Sequence, residues 1–143
     1  MAIRVLVADD QALIREALSK LLREQGDMEV VGQAADGEAV MELTAQLQPD
    51  VIIMDVSMPP TLSGLEATRW ICATWPQVKV IALSMYATRP YVAAMLKAGA
   101  RGYLLKDVPS EDLAAAVRAV ARGLTYVSPA IDGGPAVSQR GFQ

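Results

Sequence analysis

The chain of 143 residues contains no histidine and only one cysteine. Without imidazole there is no Ser/His/Asp or Cys/His catalytic set, and no zinc site that needs a histidine ligand. With Cys72 alone no internal disulfide can form, which suits a reducing compartment. Cys72 is flanked by apolar helix positions and reads as a small buried hydrophobe rather than a reactive thiol. No apolar stretch reaches the roughly 18 residues that a membrane span requires. The first apolar run, Ile3 to Ala8, is short and ends in two acids, unlike a secretory signal. A cytoplasmic protein without membrane association is expected. A basic excess is also lacking, since the formal charge is −3. Arg15, Lys20 and Arg23 share one expected helix, but acids interrupt them and they read as a solvated face. A free-standing nucleic-acid binder carries a concentrated basic surface, so DNA binding by this chain itself is not expected.

What is present is ample material for one core, with 52% of residues hydrophobic and 20% charged. Short apolar runs alternate with longer helical patterns. Ile3–Ala8, Met28–Ala34, Val51–Met54, Lys79–Ser84 and Gly102–Leu105 read as strands, the second less uniformly apolar and so nearer an edge. Gln11–Gln25, a segment from the N-cap Asp36 to Leu47, Gly64–Thr74, Thr88–Ala98 and Pro109–Arg122 read as helices. In the last of these Leu113, Ala116, Val117, Val120 and Ala121 recur at i, i+3, i+4, i+7 and i+8. Near-continuous apolar strands separated by amphipathic helices imply a parallel sheet covered on both faces. The fold expected is α/β, flavodoxin-like (βα)5, a doubly wound five-stranded parallel sheet of order 2-1-3-4-5. Residues 1–129 form this domain, and residues 130–143, diluted by Gly133, Gly134, Pro135 and Gly141, read as a tail or linker stub.

In such a sheet, ligands bind beyond the carboxyl ends of the strands, where the strand order reverses. The residues just past strands one and three are Asp9, Asp10 and Asp55. Three carboxylates so close repel one another unless a cation is present. Mg²⁺, or Mn²⁺, resolves this, since it takes one or two carboxylates, waters and phosphate oxygens. Past strand four lies Ser84, and past strand five Lys106. Each has a plain structural alternative: Asp9 and Asp10 as helix caps, Ser84 as a turn residue, Lys106 as a solvated charge. Together at consecutive strand ends, they suit transfer of a phosphoryl group to a carboxylate nucleophile.

These residues sit in recognisable blocks. Val5-Leu-Val-Ala-Asp9-Asp10-Gln, Asp50-Val-Ile-Ile-Met-Asp55-Val-Ser-Met-Pro59, Ile81-Ala-Leu-Ser84 and Gly102-Tyr-Leu-Leu-Lys106 resemble the signature segments of bacterial response-regulator receiver domains, over about Ile3 to Arg122. Val30-Val-Gly-Gln-Ala-Ala-Asp-Gly37, Lys97-Ala-Gly-Ala-Arg-Gly-Tyr-Leu-Leu-Lys-Asp107 and Tyr126-Val-Ser-Pro129 resemble the NarL/FixJ (LuxR-type) subfamily. The resemblance implies Asp55 as the phosphoacceptor. It implies Asp9, Asp10, Asp55 and the Ser57 backbone carbonyl as metal contacts, and Lys106 and Ser84 as phosphoryl contacts. Ser84 and Tyr103 become the switch pair, Tyr103 turning inward on phosphorylation; the alternative for Tyr103 is an aromatic packing on a half-buried strand. Ser57 and Tyr86 fall where side chains tune phosphoryl lifetime. The implied partners are a sensor histidine kinase and a second copy in a phosphorylation-dependent homodimer. The implied role is two-component control of transcription, through a helix-turn-helix domain that this sequence does not contain. Two other readings stand beside it: a phosphorylation-independent receiver-like interaction module, and a small Mg²⁺-dependent phosphohydrolase. The second would need an acid at the position of Ser57. One departure is local. Four residues separate Pro59 from Gly64 where receivers have three, and Ser63 replaces the usual acid or amide.

Overall fold

The computed structural model describes residues 2–56, 58, 63–85, 89–128 and 137–138. Strands and helices alternate as β1 (Ile3–Ala8), α1 (Ala12–Arg23), β2 (Met28–Ala34), α2 (Gly37–Leu47), β3 (Val51–Asp55), α3 (Gly64–Thr74), β4 (Lys79–Ser84), α4 (Arg89–Lys97), β5 (Gly102–Leu105), α5 (Ser110–Ala121), β6 (Thr125–Val127) and β7 (Val137–Ser138). They form one sheet of order β2-β1-β3-β4-β5-β6-β7. The expected flavodoxin-like order is present, and helix ends differ from the sequence reading by one or two residues, as frayed ends do.

Successive strand side chains point to opposite faces, and this divides the core. Leu6, Ile52, Met54, Val80 and Ala82 meet Val40 of α2, Ile71 of α3 and Met95 of α4. Val5, Val7, Ile53, Ile81 and Leu83 meet Leu22 of α1 and Leu113, Val117 and Val120 of α5. A fully buried aliphatic side chain contributes about 1.5–3 kcal/mol, against about 1 kcal/mol for a helix cap. Strand placement is therefore decided by this apolar alternation. Local chemistry then sets the helix ends. Asp36 accepts from the Ala39 N–H at 2.8 Å, and α4 is followed by Gly99 at φ +117°, a conformation that glycine adopts without strain. The partly exposed β2 lies at the sheet edge, as its mixed composition predicted.

The sheet has seven strands where the sequence pattern suggested five. β6 joins β5 in parallel, its Tyr126 N–H donating to Arg101 O at 2.9 Å and the following Ser128 N–H to Tyr103 O at 3.0 Å. β7 pairs antiparallel with β6, Thr125 opposite Ser138 and Tyr126 opposite Val137. Part of the segment read as a tail is therefore strand. Among the described residues no helix is long and apolar enough to cross a membrane.

Candidate functional site

Parallel register brings the strand ends level. Ala8 pairs with Met54, Asp55 with Leu83, and Ser84 with Leu105. Asp9 follows β1, Asp55 ends β3, Ser84 ends β4 and Lys106 follows β5 with its N–H donating to Ser84 O at 2.8 Å. Asp9, Asp10, Asp55, Ser84 and Lys106, each singled out from the sequence, thus gather at the carboxyl ends of the parallel strands.

Carboxylate oxygens of Asp9, Asp10 and Asp55 all lie within 4.8 Å of one another. Asp9 and Asp55 are buried and Asp10 is exposed. Lys106 Nζ stands 3.2 Å from Asp55 Oδ2 and 3.4 Å from Asp9 Oδ2. Burial would push the Lys106 ammonium down, but the charges of Asp55 and Asp9 and their hydrogen bonds together outweigh it, and its pKa lies above the ordinary value. One ammonium against three carboxylates leaves the cluster net negative.

Asp9 is fixed at nearly every polar atom. Its N–H donates to Ala34 O at 3.0 Å. Its Oδ1 accepts from the Gln11 N–H at 2.9 Å, and its carbonyl accepts from Arg15 Nη1 at 2.7 Å. The remaining atom, Oδ2, is buried and has no well-formed hydrogen bond; it faces the Lys106 ammonium at 3.4 Å. Arg15, read from the sequence as part of a solvated face, is instead half-buried against the first strand end. No sequence signal marks a guanidinium that bonds a backbone carbonyl.

An oxygen-only donor set of three converging carboxylates, net negative even with Lys106 beside it, fits a hard divalent cation such as Mg²⁺ or Mn²⁺. Ser57, whose carbonyl was expected among the metal contacts, and Tyr86 lie outside the described residues.

α3 begins directly against the Asp55 backbone. Val56 N–H donates to Leu83 O at 3.2 Å, and Gly64 N–H donates to Val56 O at 3.2 Å. A Cβ on Gly64 would fall onto the Asp55 carbonyl oxygen and lie 2.9 Å from Val56 Cα. Only glycine allows that approach. Ser63 and Glu66 form a capping box at this helix start, each side chain accepting from the other residue's backbone N–H at 3.2 Å. The spacing Ser-x-x-Glu is its sequence signal. Residues 59–62 of the lengthened loop lie outside the described residues.

Tyr103 is fully buried, not half-buried, in the cluster facing α2, α3 and α4. A side-chain hydrogen bond joins it to Ser84. Burial pushes its phenol pKa up, the Ser84 bond offsets part of this, and nearby Tyr91 adds to it. The Tyr103 ring is thus turned into the core. At the other end of the sheet, burial pushes the Cys72 thiol up to about 11 despite Arg101 and Lys79, in keeping with an unreactive residue.

Comparison with known proteins gives a consistent picture. A family model described as the response regulator receiver domain matches residues 5–118. The oxygen regulatory protein NreC of Staphylococcus carnosus is 48% identical over 126 residues, which are 88% of this chain and 58% of that protein. The chain therefore spans less than two thirds of that relative's length. A two-component response regulator of the LuxR family from Aurantimonas sp. superimposes with a TM-score of 0.85 at 27% identity, covering 92% of this chain and 93% of that one. The isolated REC domain of RcsB from Salmonella enterica serovar Typhimurium, solved with the phosphomimetic BeF3-, gives a TM-score of 0.84 at 26% identity, with 92% and 96% covered.

Proposed function

The chain belongs to the response regulator receiver domain family, and from that premise we propose that it accepts a phosphoryl group on Asp55 and thereby switches a surface read by a partner. The observation that carries this reading is the ion pair of Lys106 with Asp55 beside two further carboxylates. An Asp55 carboxylate oxygen attacks the phosphorus of the donor, a phosphohistidine of a sensor histidine kinase or a small acyl phosphate. The new O–P bond forms as the P–N or P–O bond to the donor breaks, and the leaving group keeps the electron pair. Lys106 offsets negative charge on the phosphoryl oxygens, and the Ser84 hydroxyl donates to another. Asp9, Asp10 and Asp55 would hold the divalent cation, which when bound neutralises charge at the phosphoryl group. Water later attacks the phosphorus, the P–O bond to Asp55 breaks, and inorganic phosphate leaves as the carboxylate returns.

The output runs through Ser84 and Tyr103. Their hydrogen bond ties the strand end nearest the reacting group to a side chain buried under α4. A phosphoryl group that draws Ser84 toward itself competes for that hydroxyl, so the Tyr103 environment changes with it. A homodimer formed on phosphorylation, in a cytoplasmic two-component pathway controlling transcription, is the partner reading that fits.

Intact mass after incubation with acetyl phosphate and Mg²⁺ tests the proposal. The expected gain is one phosphoryl group, about 80 Da, lost with a chelator and absent in Asp55→Asn. A gain that survives Asp55→Asn would move the site elsewhere. No gain from a protein that binds Mg²⁺ would overturn transfer from small donors.

A further inference from the structure

Arg15 is the one basic residue of α1 whose guanidinium reaches the site. Its Nη1 donates to the carbonyl oxygen of Asp9 at 2.7 Å, reaching back from the first turn of α1 to the strand end. That bond acts on the peptide joining Asp9 to Asp10, and therefore on two of the three clustered carboxylates at once. The Gln11 N–H bond to Asp9 Oδ1 and the Ala34 bond to the Asp9 N–H complete the restraint. The buried Oδ2 has no well-formed hydrogen bond and faces the Lys106 ammonium at 3.4 Å.

We propose that Arg15 is a positioning residue for the divalent cation: it locks the Asp9–Asp10 backbone so that both carboxylates face one point, without touching the ion itself. This rests on the cation site of the proposed function. Outer-shell partners that orient metal ligands change affinity by about 10–100-fold when removed. The proposal also predicts a sign. Arg15 is a cation beside a cation site, so removing it would tighten Mn²⁺ or Mg²⁺ binding if charge alone mattered. Loss of positioning weakens binding instead.

The experiment is Mn²⁺ titration of the full chain followed by electron paramagnetic resonance, with thermal unfolding run in parallel. Arg15→Ala should raise the Mn²⁺ dissociation constant about tenfold, and Arg15→Lys, which keeps a donor able to reach a carbonyl, should recover most of the loss. Arg15→Met retains the apolar stem and gives the same reading if the alanine variant fails to fold. Phosphorylation by acetyl phosphate should return to the wild-type rate at saturating Mg²⁺, separating affinity from chemistry. Unchanged or tighter Mn²⁺ binding in folded Arg15→Ala or Arg15→Met would overturn the proposal while leaving the Asp55 reading intact. Failure of the wild-type chain to bind Mn²⁺ would overturn both.

Discussion

Lys106 Nζ lies 3.2 Å from Asp55 Oδ2, close enough that the two charges compensate each other in a site mostly shielded from water. The pairing fixes how the fold responds when either partner is changed.

Removing Lys106 should destabilise the metal-free fold. Lys106→Met leaves the buried carboxylates of Asp9 and Asp55 without their ammonium, at a cost on the order of 1–3 kcal/mol given partial exposure. The pH dependence has a definite sign. Because the folded pKa of Lys106 is raised above 10.5, its contribution is complete below that pH and is lost as pH rises through the higher folded value. Urea unfolding of wild type should therefore weaken above pH 10.5 more than that of Lys106→Met, with the gap between the two constant from pH 7 to pH 9. A gap that closes within that neutral range would contradict this.

Reducing the negative charge should act in the opposite direction. Asp10 is the exposed member of a cluster that is net negative without a cation. Asp10→Asn is expected to raise the urea midpoint of the metal-free protein and to weaken Mn²⁺ binding at least about tenfold. Added Mg²⁺ should then stabilise wild type and do little for the variant. Equal stabilisation of both by Mg²⁺ would remove Asp10 from the ligand set.

Gly64→Ala tests how closely α3 abuts the site. The new Cβ would collide with the Asp55 carbonyl oxygen, which is backbone and cannot rotate away. Overpacking of this kind costs about 1–3 kcal/mol. Because the displaced atom belongs to the phosphoacceptor candidate, phosphorylation by acetyl phosphate should fall as well, by about tenfold or more. A wild-type melting temperature would show that α3 can slide without penalty.

The sheet order and the five strand ends were legible because they depend on apolar runs such as Val51–Met54 and Ile81–Leu83, which admit few other placements. The convergence of Asp9, Asp55, Ser84 and Lys106 followed from topology alone. Three features were not legible, each for its own reason. β6 is three residues with a buried threonine at its start, too short for any period to register. Full burial of Tyr103 depends on how closely α4 covers β5, a packing distance that composition does not encode. Arg15 lies five residues before Lys20 and eight before Arg23, and its charge pattern matches that of an exposed face. Only its backbone partner distinguishes it.

The sixth strand has a practical consequence for recombining this domain with other modules. Ser128 N–H is bonded to the carbonyl of Tyr103, and Thr125, Tyr126 and Val127 are buried. A chimera spliced immediately after α5 would strip a hydrogen-bonded strand from β5 and expose the backbone that carries Tyr103. A junction after Ser138 keeps both that strand and its β7 partner, so a reporter or foreign output domain fused there should inherit an undisturbed sheet.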